Sequence, residues 1–299
     1  METTAGIYQW NKQQCSYEVY AGTAGKLPLL LVHPIGVGLS NRFWHRFCHR
    51  WQQQDYGNPL YSPDLLGCGE SDMPTVAYYP QDWADQLNFF LKTVIQQPVV
   101  VVVQGALLPV AIAMIQQLEQ SSDWIRAVVL SGPPAWRIMT EATAERQQKV
   151  AWNLFFTSPV GRLFWQYARR RQFVESFSIR QLFANPEDVD AEWLDMLEQG
   201  ASDPRSRYAV FSFLAGFWRQ DYQEAMAQIT QPTLVTFGEQ ASSISRSGFK
   251  ESPQDRYAAY ERGWQNAQCQ ILPGRNVLPY ESTAEFVRAT GDFLGHLGL

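Results

Sequence analysis

Val99-Val-Val-Val-Val103-Gln104-Gly105-Ala106-Leu107-Leu108-Pro109 is the stretch that decides how this chain folds. Five consecutive β-branched residues are stiff at χ1 and favour a pleated strand. The run is apolar at every position, not at every second one, so both faces of the strand are buried, as in the interior of a parallel sheet. Beyond the glycine, Ala106 to Glu119 reads as a helix, and Pro109 is tolerated in its first turn. A buried strand that turns at once into a helix is the repeating unit of an α/β domain.

The same unit recurs to either side. Tyr8–Trp10 and Ser16–Tyr20 read as short strands around a polar turn. Leu29–Val32 is an apolar run closed by His33-Pro-Ile-Gly36, and Asn41 to Gln54 reads as a helix with Phe43, Phe47 and Trp51 on one side. Pro59–Ser62 is a strand followed by Asp64-Leu-Leu-Gly-Cys-Gly-Glu-Ser71, and Gln81 to Gln97 is an amphipathic helix. Ile125–Leu130 is a further strand. From about Ala135 to Ile229 the strand signal stops, and the segment is helical and rich in aromatics, among them Trp136, Trp152, Phe155, Phe164, Trp165, Trp193 and Phe211. Strands resume at Thr233–Phe237 and Cys269–Leu272, and Thr283 to Leu294 closes the chain as a helix. No internal repeat or low-complexity segment is present.

Taken in order, the motifs resemble those of the α/β-hydrolase superfamily with a helical cap, over nearly the whole length. His33-Pro-Ile-Gly36 resembles the oxyanion loop. Asp64-Leu-Leu-Gly-Cys-Gly-Glu-Ser71 resembles the Asp-x-x-Gly-x-Gly-x-Ser turn. Pro232-Thr-Leu-Val-Thr-Phe-Gly238 resembles the strand that leads to the catalytic acid, and Pro273-Gly-Arg-Asn-Val-Leu-Pro-Tyr-Glu281 the loop that carries the catalytic histidine. The resemblance implies an α/β-hydrolase fold, a mostly parallel sheet flanked by helices. Residues 1–134 and 230–299 would form the core and residues 135–229 an inserted helical cap.

The chemistry departs from that pattern. The family places its nucleophile in Gly-x-Ser-x-Gly on a strand-to-helix turn; here that position falls on Ala106, with Gln104 and Leu108 at the flanking glycines. The acid position falls on Ala241, and the base position on Asn276, which has no group that titrates near neutral pH. The chain has four histidines, His33, His45, His49 and His296, and none lies near the C-terminal loop. Using His33 as a base would ask a structural turn to do catalysis. The oxyanion donors implied by the resemblance, the Ile35 and Leu107 N–H groups, belong to the backbone and do not depend on side-chain identity.

Two functional readings follow. The first is a non-catalytic protein that binds a hydrophobic ligand or a protein partner through the cap and a vestigial pocket at Ile35, Gln104, Ala106, Leu107, Arg246 and Asn276. It has no catalytic residues and no cofactor. The alternative is a hydrolase or lyase acting through residues such as Gln104, Ser242 or Arg246 on an apolar ester-like or carbonyl substrate. Ser242-Ser-Ile-Ser-Arg246-Ser-Gly248 and Arg275 could form a cationic site for an anionic head group, or an ordinary polar loop. The wording around His33–Ser40 and Arg275–Glu281 resembles that of uncharacterised α/β-hydrolase-like proteins from oxygenic phototrophs, which implies a pigment, a prenyl lipid or a photosynthetic assembly partner.

Composition narrows the classes further. At ~150 residues per domain, 299 residues suggest about two units or one larger α/β core. Hydrophobic residues make up 45% of the chain, enough for a sizeable core, and the net charge of −5 carries no overall footprint for nucleic acid. Cys15, Cys48, Cys68 and Cys269 are scattered and read as reduced thiols, and Cys68 as a small structural residue. His45, Cys48 and His49 share helical spacing but read as a surface helix face, not a metal site. The N-terminus lacks a basic and then apolar leader, and no apolar run is long enough to span a bilayer, so a cytoplasmic protein is expected. Peripheral membrane contact stays open: Val160 to Arg171 mixes aromatics with a basic run, read either as a cap helix packed on the core or as a surface for an anionic membrane or an acidic partner.

Overall fold

The computed structural model describes residues 3–118, 123–156, 158–244 and 251–299, without the side chains of residues 154 and 155. β1 (Thr3–Trp10) and β2 (Gln13–Tyr20) form a hairpin longer than the sequence suggests. Asn11 and Lys12 both take positive φ at its turn, which matches the twist of the two strands. Then come β3 (Leu29–Val32), β4 (Leu60–Pro63), β5 (Val99–Gln104), β6 (Ile125–Ser131), β7 (Thr233–Gly238) and β8 (Ala267–Leu272). The eight strands form one sheet in the order β1-β2-β4-β3-β5-β6-β7-β8. β2 runs antiparallel to β1 and β4, and all pairs from β4 to β8 are parallel.

The valine strand shows why the sheet is covered on both sides. Val99, Val101 and Val103 enter one apolar cluster with Trp83 and Leu87 of α2 (Pro80–Phe90) and Val110 of α3 (Leu108–Gln117). Val100 and Val102 enter the opposite cluster with Phe47 and Trp51 of α1 (His45–Gln53). All five are fully buried, and each contributes roughly 1.5–3 kcal/mol relative to exposure.

Between β6 and β7 lie α4 (Trp136–Thr140), α5 (Glu145–Ala151), α6 (Pro159–Ala168), α7 (Arg171–Phe177), α8 (Ala191–Gly200), α9 (Arg207–Ala215) and α10 (Gln223–Ala227). This helical segment is sewn into the core. Trp193, Leu194 and Leu197 of α8 join the cluster of α1, while Trp165, Ala201, Val210 and Phe211 make a small core of their own. α11 (Pro253–Gly263) covers the sheet between β7 and β8, and α12 (Leu278–Glu281) and α13 (Thr283–His296) complete the chain. Among the described residues no helix is long and apolar enough to cross a membrane.

Candidate functional site

The parallel strands end together, so the loops after β3, β5, β7 and β8 meet at one edge of the sheet, where open α/β sheets place their ligands. At β5 the turn into the helix is tight: a 3-10 turn, Gly105–Leu107, leads straight into α3. The left-handed residue is Gly105, with φ of +62°, and not Ala106. Glycine takes that conformation without a Cβ penalty, which is why the strained position moves one residue toward the strand. Leu107, whose N–H the sequence resemblance assigns to an oxyanion pocket, ends this same 3-10 turn, two residues past the glycine. At either register the side chain is a hydrogen or a methyl group. Added to Gly105, a Cβ would come no nearer than 3.8 Å to its neighbours, so the turn has room for a side chain.

Opposite the turn, Asn276 is fully engaged. Its Nδ2 donates to the carbonyls of Gln181 at 2.6 Å and Ser242 at 3.0 Å, and its Oδ1 accepts the Ser242 N–H at 3.4 Å. Its backbone N–H donates to the Leu182 carbonyl at 3.0 Å, and its own carbonyl accepts Nε2 of Gln104 at 2.7 Å. One amide residue thus ties together the end of β5, the loop after β7 and the helical segment at 181–182. Gln104 Oε1 and Ser131 Oγ are buried and, among the described residues, have no hydrogen-bond partner. They sit on residues paired across β5 and β6.

Neighbouring residues extend the lashing. Arg275 Nε donates to Ser242 Oγ at 2.9 Å, and burial lowers its guanidinium pKa. Glu281 accepts the N–H groups of Arg275 at 2.6 Å and of Ala184 at 2.9 Å; burial raises its carboxyl pKa against those bonds. In the loop after β7, Ala241 is buried and closes a turn on Gly238. Beside it Arg256, 2% exposed, bonds Ser243 Oγ and the Pro133 carbonyl and pairs with Glu251. Arg246 lies outside the described residues.

The loop after β3 is built differently. Ile35 is buried, and among the described residues its N–H meets no acceptor. His33 is fully buried, and burial holds its pKa below the usual value, with Asp64 4.0 Å away opposing that effect. Leu65 N–H donates to Nε2, so the proton sits on Nδ1, which donates to the Pro34 carbonyl. Asp64 accepts bonds from Ser16 Oγ, Asn41 N–H and Glu70 N–H. Gly69 has φ of +56°, and a Cβ there would overlap the Asp64 carboxylate. His33 therefore braces a turn, as its place in the sequence implies. Cys68 is buried and its thiol pKa pushed up, away from the thiolate form. Cys48 points into the core, while His45 pairs with Glu18 at 2.9 Å.

The cap aromatics pack against one another and the core. Trp193 meets Phe183 and Tyr280, and Phe211 meets Phe156 and Trp165. A polar cavity of about 290 Å3 lies at the edge of this seam, lined by residues such as Arg42, Asp64, Met196 and Arg205, away from Gly105. Sequence reasoning missed Gln181, Leu182 and Glu281 as partners of the site. The first two act through carbonyls that every residue possesses, so no side chain could have announced them.

Comparison with known proteins places this architecture. The profile of the alpha/beta hydrolase family matches residues 29–290. A serine hydrolase involved in carbazole degradation is similar with a TM-score of 0.72 at 16% identity, covering 99% of this chain and 100% of that one. A thermophilic esterase from Thermogutta terrifontis is similar with a TM-score of 0.71 at 19% identity over 100% of both chains. A bromoperoxidase from Bacillus anthracis has a TM-score of 0.71 at 18% identity, covering 98% of this chain and 100% of that one. At such identities the likeness is one of fold. No curated protein matches by sequence. From the profile match over residues 29–290, most of its length, this chain belongs to the alpha/beta hydrolase family.

Proposed function

We propose that this chain is a non-catalytic member of its family and works by binding a protein partner or an apolar ligand. The observation that carries the reading is Asn276: at the place of a base stands an amide whose hydrogen-bonding groups are all committed to backbone. General base catalysis needs a group that can take a proton near working pH, and an amide cannot. Covalent catalysis needs a nucleophile at the turn, and Gly105 and Ala106 supply none. His33, the one histidine at this edge, already uses both ring nitrogens. The packed aromatic seam supports a partner on the outer surface more than a large enclosed ligand.

The test pairs a turnover assay with native mass spectrometry. Wild-type protein and Asn276→Ala are incubated with ester, thioester and carbonyl substrates. The expected result is no turnover above buffer for either, with a retained ligand or polypeptide on protein purified gently from its own source. Turnover by the wild type that the substitution abolishes would overturn the reading in favour of a hydrolase or lyase using non-triad residues.

A further inference from the structure

We infer that α6 docks this protein onto an anionic membrane surface. The helix turns Gly161, Trp165 and Ala168 inward, and Trp165 packs on Phe211. Its outer face should then be polar, as on an ordinary surface helix. Instead Val160, Leu163, Phe164 and Tyr167, spaced i, i+3, i+4 and i+7, are exposed by 59%, 73%, 39% and 52%. Four such side chains side by side on a helix form an apolar patch of the kind that marks an interaction site.

The charge around the patch says what covers it. From Pro159 to Leu182 the chain has five arginines (Arg162, Arg169, Arg170, Arg171 and Arg180) and a single acidic residue, Glu175, in a protein of net charge −5. Arg171 is engaged by Asp195 and Glu198, but Arg170 lies over the Tyr167 ring at 5.9 Å, which carries positive charge onto the apolar face. Arg162 sits one residue from Leu163 on the same exposed stretch. Apolar and aromatic side chains flanked by arginine are the composition that rests at the head-group boundary of anionic lipid. An acidic protein would match the charge. A side chain that projects as far as Leu163 would need a preformed pocket in such a partner, whereas acyl chains accept it without one.

Among the described residues, α6 itself makes no hydrogen bond to Asn276, so the inference stands whether or not the chain turns over a substrate. The 299-residue protein is sedimented with vesicles of phosphatidylcholine alone and of equal parts phosphatidylcholine and phosphatidylglycerol. Binding to the second but not the first is expected, weakening as salt is raised. Leu163→Glu should abolish it, and Arg162→Gln and Arg170→Gln should each weaken it about fivefold. These residues are exposed, so an unchanged melting curve will show that each variant is folded. The idea is overturned if wild type ignores anionic vesicles, including the case where α6 captures an acidic protein instead. It is equally overturned if Leu163→Glu sediments like wild type.

Discussion

Two corners of the same sheet edge carry the family's landmarks, and they differ in kind. After β3 and β4, the hub of His33, Asp64, Gly69 and Ser71 is intact, and its polar side chains hold backbone. After β5, β7 and β8, the positions that the proposed reading matches to nucleophile, acid and base hold Gly105 or Ala106, Ala241 and Asn276. The second corner is not a void. The amides of Asn276 and Gln104 there bond carbonyls and N–H groups of neighbouring loops, as the side chains of the first corner do. The contrast teaches that one sheet edge can be held by a buried carboxylate and imidazole on one side and by neutral amides on the other. The turn after β5 survives because a glycine with positive φ makes it, and the loop after β8 is held because an amide bonds backbone in two directions.

The hub should be the harder of the two to break. Asp64→Ala leaves a buried N–H donor, a part-buried one and a hydroxyl without their carboxylate, and a loss of about 3–5 kcal/mol is expected in urea denaturation. Asn276→Ala removes three bonds of a half-buried amide, and about 1–3 kcal/mol is expected, with faster proteolysis inside residues 135–229. If the two variants cost the same, Asn276 belongs to the framework as fully as Asp64, and the contrast between the corners fails.

The mildest change concerns the acid dependence of the cap. Asp190 caps α8 through the Trp193 N–H and pairs with Arg46 of α1. Burial pushes its carboxyl up, but the bonds from Arg46 and Trp193 outweigh this and hold its pKa below the usual value. A depressed carboxyl pKa stabilises the fold above the unfolded value, near 4, and that contribution is lost as pH falls through the folded value. Asp190→Asn keeps a capping oxygen, so at neutral pH it should cost under about 1 kcal/mol, because the pair is partly exposed. Melting curves of the variant should fall less steeply than wild type below about pH 4. An unchanged slope would remove Asp190 from the links between cap and core.

Much of this molecule is written locally. The valine run, the order of the motifs and the helical stretch after β6 announce a parallel sheet with an insertion, because buried strands and amphipathic helices differ in period and composition. The absence of a histidine near the C-terminal loop is likewise a property of residue identity, and sequence alone determines it. Tertiary structure decided what identity cannot carry. It placed the left-handed residue at Gly105, one position from Ala106, because φ is set by how β5 and α3 must meet. It joined Asn276 to Gln104, Gln181 and Ser242, contacts between residues up to 172 positions apart in the chain. And it packed Trp165 and Trp193 inward while leaving Leu163 and Tyr167 outside, since which aromatic is buried depends on the surface a helix meets and not on the helix.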